Sequence, residues 1–223
     1  MPTLVEYFEI LKRYEKQSKS DEARILRASL ELYVTGSMNT FSHASNVDFT
    51  NRMVCFDIKD LGKNLKPLGM MIVLENLWEK LVENRLKGKR TRIYIDEIYL
   101  LFGSEESSNF LYELYKRARK WGGIPTGITQ NVEDLLRSDM ARSMLPTTEF
   151  VLMLCQNATD RQKFAEILKL SEESMQYVTQ SPPGCGFMYA GKYGVQPFKD
   201  DFPRDAKLYQ LMATRFGEAV QVK

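Results

Sequence analysis

The sequence is poor in the residues that build metal centres and disulfide frameworks. Its 223 residues include one histidine, His43, and three cysteines, Cys55, Cys155 and Cys185, which lie far apart and show no Cys-x-x-Cys spacing. An odd number of scattered cysteines argues against a disulfide scaffold and indicates reduced thiols in a cytoplasmic protein. We therefore expect neither disulfides nor a zinc site to hold the fold together.

Long apolar runs and a strong net charge are also missing. No stretch reaches the roughly 20 apolar residues that span a bilayer, and the amino end is too charged for a signal peptide. The 31 basic and 29 acidic residues give a formal net charge of +2, which neither favours nor excludes nucleic acid. We expect one α/β domain with an added helical piece, whose membrane association would come through partners.

Two amphipathic helices are predicted at the amino end. Apolar residues at helical spacing favour a helix over Thr3–Lys16, in which Thr3 and Glu6 can form a capping box, and a second helix over about Asp21–Val34. Together they predict a helical hairpin. The Ser-, Asn- and Thr-rich stretch 37–51 is typical of an irregular loop.

Strand and helix patterns then alternate, which predicts a parallel sheet with right-handed crossovers. The predicted strands are Met53–Ile58, 93–95, Ile124–Gln130 and Phe150–Cys155. The helices between and after them are Pro67–Leu86, Asn109–Trp121, Val132–Met144 and Thr159–Leu168. The tail differs, because two short strands, Gly186–Ala190 and Tyr193–Phe198, are followed by a helix over about Asp205–Phe216.

A pair of acids directly follows the buried strand 93–95. Asp96 and Glu97 stand where open α/β sheets place their ligands, at the carboxyl end of a strand. This pattern is typical of a Walker B strand, in which Asp96 would hold a water of a nucleotide-bound Mg²⁺ and Glu97 would polarise the attacking water. The structural alternative is that Asp96 caps the next helix.

The neighbouring predicted strand ends in Thr129 and Gln130. Because adjacent parallel strands lie ~5 Å apart, these side chains would face the same cleft as the acids. Gln130 can then contact the γ-phosphate or the attacking water and act as a sensor, or it can simply precede the next helix as a cap.

Two basic segments allow further roles. Arg117 and Arg119 lie on the helix after the acids, where a guanidinium could reach the nucleotide of a neighbouring subunit, although basic helical faces are usually just solvated. The run Lys87, Lys89, Arg90 and Arg92 is most simply a solvated connection, and a phosphate or DNA contact is the less favoured interpretation.

The sequence contains no Gly-x-x-x-x-Gly-Lys-Ser/Thr. The backbone cradle and the lysine of a P-loop are therefore absent, and Gly62-Lys63 and Gly191-Lys192 have the wrong preceding spacing. We expect either that the chain is no ATPase or that it is the carboxyl-terminal part of one. In the second case its sheet lacks the central P-loop strand that normally lies beside the sensor strand.

Three segments carry a family resemblance. Ile93-Tyr-Ile-Asp-Glu-Ile-Tyr-Leu-Leu-Phe, Glu113-Leu-Tyr-Lys-Arg-Ala-Arg-Lys-Trp-Gly-Gly and Gly127-Ile-Thr-Gln-Asn-Val-Glu-Asp-Leu-Leu, in this order, closely resemble conjugative-transfer ATPases of the VirB4/TraE type. The resemblance covers nearly all of the chain. It implies an α/β, RecA-like P-loop NTPase core, a mostly parallel sheet flanked by helices, without its P-loop strand. Residues 1–50 would belong to a helical insertion and 51–223 to the carboxyl-terminal part of the ATPase domain.

The same resemblance implies roles for particular residues, with ATP and Mg²⁺ as cofactors. These are Asp96 and Glu97 as the Walker B pair, Gln130 as the sensor, Arg117 and Arg119 as intersubunit arginines, and Gly191, Lys192, Tyr193 and Gly194 as a segment near the nucleotide. The absent Walker A motif implies that this chain alone is inactive.

At the level of the assembly, the resemblance implies a hexameric motor on the cytoplasmic face of the cell membrane. It would contact the subunits of a type IV secretion channel and coupling proteins, and a further amino-terminal domain would recruit it. Two other hypotheses remain open, namely a DNA-translocating hexamer of the coupling-protein or FtsK/HerA kind and a non-catalytic docking module.

Overall fold

The computed structural model describes residues 2–47, 49–130, 132–155, 162, 165–179 and 181–212. The described helices are α1 Leu4–Ser18, α2 Asp21–Val34, α3 Lys66–Leu86, α4 Glu105–Trp121, α5 Val132–Leu136, α6 Asp139–Met144, α7 Glu172–Met175 and α8 Lys207–Met212. The described strands are β1 Thr91–Ile95, β2 Gly123–Gly127, β3 Phe150–Leu154, β4 Cys185–Ala190 and β5 Val195–Lys199. The chain divides into two compact units, Met1–Val73 and Leu74–Lys223, with the division inside α3.

The first unit contains the predicted helical hairpin. The hydroxyl of Thr3 accepts from the N–H of Glu6 at 3.2 Å, and the Glu6 carboxylate accepts from the N–H of Thr3 at 2.8 Å, which is the predicted capping box. Phe8 is buried on the inner face of α1. An ion pair between Glu15 of α1 and Arg27 of α2, 2.6 Å apart, links the two helices.

The predicted strand Met53–Ile58 is wrong. These residues form no strand, and they pair with no other segment in the part of the chain that the structure describes. Val54 and Phe56 are exposed, as are most of their neighbours. The apolar run predicted a strand from local pattern alone, whereas a strand forms only where a neighbouring strand offers backbone partners.

The second unit contains the predicted parallel pair. β1 and β2 run in parallel, with Ile95 opposite Gly127, and α4 is the crossover between them. Leu81 of α3, Ile93 of β1 and Leu114 of α4 form a buried cluster. Each such side chain contributes about 1.5–3 kcal/mol when fully buried, so helices and strands are held together here by apolar packing. The prediction of an α/β fold with a parallel sheet is confirmed.

The predicted place of Phe150–Cys155 in that parallel sheet is wrong. β3 pairs antiparallel with β4, which pairs antiparallel with β5, in a separate three-stranded sheet. Along β3 Met153 is buried whereas Phe150 and Leu152 are exposed. This strand therefore buries one face, as strands of antiparallel sheets commonly do, rather than both. The two predicted strands of the tail are confirmed as β4 and β5.

Several helix boundaries differ from the predictions because of serine caps. Ser104 starts α4 four residues earlier than predicted, since its hydroxyl accepts from the N–H of Ser107. Ser138 caps α6 in the same way and divides the predicted helix Val132–Met144 into α5 and α6. Of the predicted helix Thr159–Leu168, residues 165–168 are helical, and 159–161, 163 and 164 lie outside the described residues. The predicted last helix is described only as far as Met212.

Candidate functional site

The two acids are held as a bulge at the end of β1. The carbonyl of Ile95 accepts from the N–H of Ile128 at 2.8 Å, and the N–H of Ile98 donates to the carbonyl of Ile128 at 3.0 Å. Ile128, the residue directly after β2, therefore pairs with Ile95 before the two acids and with Ile98 after them. The two acids are pushed out of the ladder, as in a β-bulge, a feature that is common beside active sites.

Glu97 has a backbone conformation that ordinary residues avoid. Its φ of 46° and ψ of 49° lie in the left-handed region, which costs a residue with a Cβ roughly 1–2 kcal/mol. The N–H of Glu97 donates to Oδ1 of Asp96 at 3.0 Å, a bond that favours this local turn. Non-glycine residues held in this region cluster at functional sites, so the conformation itself points to a role for Glu97.

The carboxylate of Glu97 is also costly to the fold. Its Oε2 atom is buried and has no hydrogen-bond partner among the described residues. Leaving a buried polar atom unpaired costs about 1–3 kcal/mol, and more when it is charged. A buried acceptor of this kind fits a group that polarises a water molecule, because it offers an unsatisfied lone pair to an incoming proton donor.

Gln130, the predicted sensor, lies at the same edge of the sheet as the acids. Gln130 follows Ile128 by two residues and is exposed, and Ile128 is the residue that pairs on both sides of the acids. The predicted strand Ile124–Gln130 is wrong at its end, because β2 ends at Gly127 and Thr129 and Gln130 lie beyond it. The structure still brings the ends of β1 and β2 together, with Asp96, Glu97 and Gln130 on neighbouring segments. Asn131, the next residue, lies outside the described residues.

Gly127 makes this close approach possible. A Cβ at this position would lie 2.6 Å from Cδ1 of Ile98 and 3.0 Å from Oη of Tyr115. The backbone of Gly127 is also hydrogen-bonded to the Tyr115 hydroxyl. Sequence reasoning missed both residues. The available signal was a glycine at a strand end, which often marks a close approach of other groups.

Among the described residues, neither predicted arginine forms a hydrogen bond or ion pair with Asp96 or Glu97, and each lies in a different setting. Arg117 is exposed and its Nε lies 2.6 Å from Oε2 of Glu113, one turn earlier on α4. Arg119 is exposed and lies three residues before Gly122, whose carbonyl accepts from the N–H of Thr91 at 3.0 Å. Arg119 is therefore near the start of β1, at the opposite end of the strand from the acids.

The segment Gly191–Gly194 forms the turn between β4 and β5. Gly191 and Gly194 have φ values of 40° and 72°, so both use the left-handed freedom of glycine. Lys192 Nζ lies 4.9 Å from the ring centroid of Tyr193, and Tyr193 is exposed. This turn belongs to the antiparallel sheet and not to the β1–β2 pair.

Magnesium has a suitable but incomplete donor set here. Asp96 offers an exposed carboxylate at the strand end, and carboxylate oxygen is a ligand that Mg²⁺ accepts. Among the described residues, no group of three or more His, Cys, Asp or Glu side chains could hold a metal ion by itself. The site fits a cation that keeps several waters and is shared with phosphate oxygens, as is usual for Mg²⁺ in nucleotide sites.

The parallel pair, its crossover helix and the bulged acids together define the class of P-loop NTPases. The chain belongs to the TraG P-loop domain family, whose family model matches residues 3–180. Its fold is similar to that of the structure of VirB4 of Thermoanaerobacter pseudethanolicus, with a TM-score of 0.72 and 22% sequence identity. That match covers 91% of this chain but 56% of the VirB4 chain, so the chain corresponds to little more than half of that structure. No curated protein matches.

No helix in the described part of the chain is both long and apolar enough to cross a bilayer.

Proposed function

We propose that this chain supplies the Walker B and sensor half of an ATP-hydrolysing site. The observation that carries the proposal is Glu97, a non-glycine residue in left-handed backbone whose buried Oε2 lacks a partner among the described residues. A fold that tolerates both costs at one residue needs a compensating role, and polarising the attacking water is the role that this position has in P-loop NTPases.

Each residue of the site has a distinct task in this proposal. Asp96 holds a water of the Mg²⁺ that accompanies ATP, and that ion supplies charge neutralisation on the phosphates when bound. Glu97 orients the attacking water and polarises it. Gln130 contacts the γ-phosphate or that water and reports the change to the segment that follows β2.

The phosphate cradle must come from elsewhere in the intact protein. The sequence has no Walker A motif, and the described strands form two sheets in which β2 pairs only with β1 and β3 only with β4. β2 and β3 thus each keep an edge without a described partner, and a P-loop strand could pair there. We propose that this chain alone binds ATP weakly or not at all.

The remaining site residues have roles that depend on the assembly. Arg117 and Arg119 are exposed, so they suit a contact with the nucleotide of a neighbouring subunit in a hexamer. The turn Gly191–Gly194 carries one exposed lysine, Lys192, which suits a contact with the nucleotide from the other sheet.

The family and the fold support a motor of type IV secretion as the biological setting. In this proposal the intact protein acts at the cytoplasmic face of the membrane, contacts channel and coupling-protein subunits, and uses ATP to energise transfer.

A DNA-translocating motor is the second candidate, because one observation favours it. The exposed basic run Lys87, Lys89, Arg90 and Arg92 precedes β1, and Thr91 within it is bonded to Gly122 at the end of α4, close to Arg119 and Lys120. Two basic segments therefore meet at the amino end of the parallel pair. DNA affinity that falls steeply with salt and with charge removal from this run would favour translocation of DNA.

The decisive experiment compares ATP hydrolysis by this chain with that of the longer protein that contains a P-loop. Glu97→Gln in the longer protein should lower kcat by about 10²–10⁴-fold, the usual contribution of a positioned general base. Glu106→Gln is the matched control, because Glu106 is an exposed acid in the first turn of α4. Unchanged hydrolysis in Glu97→Gln would refute the site assignment and favour a docking module. Tight ATP binding by this chain alone would refute the need for an added phosphate cradle.

A further inference from the structure

Tyr115 is a partly buried polar group that the proposed chemistry does not use. It lies on α4, one residue after Leu114 of the central apolar cluster, and its hydroxyl is bonded to the backbone of Gly127. Burial raises the pKa of Tyr115 to about 12, so its hydroxyl keeps its proton throughout the physiological range. Because it stays neutral, the Tyr115 hydroxyl acts here as a hydrogen-bond partner of the Gly127 backbone.

The direction of the backbone explains why this contact matters. Both the N–H and the carbonyl of Ile128 are directed at the segment of β1, because they bond Ile95 and Ile98. Successive residues of a strand direct their backbone groups to opposite edges, so those of Gly127 are directed away from β1. The hydrogen bond to Gly127 lowers the tyrosine pKa, which is the direction expected when a backbone N–H donates to the hydroxyl oxygen.

Three segments therefore converge on Gly127. Tyr115 contacts it from α4, Ile98 contacts it from the segment after the acids, and Ile128 continues it toward Gln130. On the side that faces β1, the chain next to Gly127 is fixed by the two hydrogen bonds of Ile128, which join residues just before and just after Asp96 and Glu97. On the side away from β1, the hydroxyl of Tyr115 is bonded to its backbone.

We propose that Tyr115 is a positioning residue, whose hydroxyl fixes the end of β2 and thereby sets the placement of Gln130 relative to Glu97. Tyr115 acts through the backbone of Gly127 and touches neither the nucleotide nor the attacking water. The inference rests on the proposed function for its catalytic consequence, whereas the contact with Gly127 stands independently of it.

The first test measures the contact itself in this chain. Amide hydrogen exchange at Gly127, followed by NMR, is compared in the wild type, in Tyr115→Phe and in the control Tyr112→Phe. Tyr112 lies on the same helix, and Nζ of Lys116 is 5.2 Å from the centroid of its ring. We expect exchange at Gly127 about 5–10-fold faster in Tyr115→Phe, with shifted Thr129 and Gln130 resonances, and no change in Tyr112→Phe. Unchanged exchange at Gly127 in Tyr115→Phe would overturn the inference.

The second test separates positioning from simple structural support. In the longer protein that contains a P-loop, Tyr115→Phe should lower kcat about 5–10-fold and leave KM for ATP within about twofold, because ATP binding does not depend on the sensor geometry. Faster exchange at Gly127 with unchanged kcat would show that Tyr115 supports the fold only, and would overturn the inference. Glu97→Gln in the longer protein tests the proposed function by itself. If that variant retains hydrolysis, the proposed function fails. The exchange measurement at Gly127 still decides whether Tyr115 holds Gly127.

Discussion

The acid bulge after β1 and the turn Gly191–Gly194 after β4 both contain residues with positive φ, but they place different residue types there. The bulge places Glu97 in left-handed backbone and buries one of its carboxylate oxygens. The turn uses glycine at both positions with positive φ and leaves Tyr193 70% exposed. A glycine turn connects two strands at little cost, whereas the bulge keeps a costly glutamate. The difference supports the proposed role of the bulge in chemistry, whereas the turn is first of all a connection.

Replacing glycine by alanine beside the bulge and in the turn should have the largest effects and should distinguish the two places most clearly. Gly127→Ala inserts a Cβ 2.6 Å from Ile98, and Gly194→Ala forces a Cβ onto φ 72° and ψ −151°. Each should lower the free energy of unfolding by about 1–3 kcal/mol, through overpacking in the first case and backbone strain in the second. Only Gly127→Ala should also reduce kcat of the longer protein by tenfold or more, because Ile98 anchors the bulge. Equal kcat losses in the two variants would contradict the contrast.

Alkaline pH should lower the free energy of unfolding through Tyr115, which lies beside the bulge. The pKa of Tyr115 is raised from 10.0 to about 12, so its stabilising contribution is complete below pH 10 and is lost as pH rises toward 12. Between these pH values the wild type should lose about 2–3 kcal/mol more than Tyr115→Phe, from two pKa units at ~1.4 kcal/mol each. Urea unfolding at both pH values measures this. Tyr193→Phe is the control and should lose as much as the wild type.

Replacing Glu97 by glycine should stabilise the chain. The substitution relieves left-handed strain and removes a buried oxygen without a described partner, and the greater flexibility of glycine offsets part of the gain, so we expect about 1 kcal/mol. Lys169→Gly is the matched control, because Lys169 has a φ of 53° and an exposed side chain. Denaturant midpoints should rise more for Glu97→Gly than for Lys169→Gly. A lower midpoint for Glu97→Gly would show that the bulge is not under strain.

The smallest effect is expected at the turn. Lys192→Ala should raise KM for ATP in the longer protein about 2–5-fold with kcat unchanged, since Lys192 is proposed to contact the nucleotide and not the reacting water. Lys199→Ala, an exposed lysine paired with Asp201 at 2.8 Å on the adjacent strand, is the control. An unchanged KM for Lys192→Ala would leave the turn as a connection alone.

Local patterns predicted the parts of the molecule that depend on neighbouring residues. The capping box, the strand before Asp96 and the hairpin β4–β5 follow from spacing over a few positions. The predicted burial of that strand is wrong beyond Ile93, because Tyr94 is 67% exposed. The pairing of β3 could not be predicted, because the run Phe-Val-Leu-Met-Leu-Cys is equally suited to either kind of sheet and its neighbour β4 begins at Cys185.

The site was predictable in its acids but not in what holds them. Asp96 and Glu97 stand out because two acids directly follow a predicted strand, at the end where open α/β sheets place their ligands. Gly127 and Tyr115 act through contacts between segments distant in sequence, and neither shows a local pattern that separates it from an ordinary glycine or core tyrosine. The strand expected at Met53–Ile58 failed for the same reason, since its partner is not encoded in the run itself.

The short turn between β4 and β5 has a consequence for the order in which the chain folds. The N–H of Ala190 donates to the carbonyl of Gly194 at 3.0 Å, so the hairpin closes over very few residues, and hairpins form in about 1–10 μs. The pairing of β1 with β2 must instead close the whole segment 96–122, a non-local step that is intrinsically slower. The part of the molecule that carries the acids is thus expected to form later than the hairpin β4–β5.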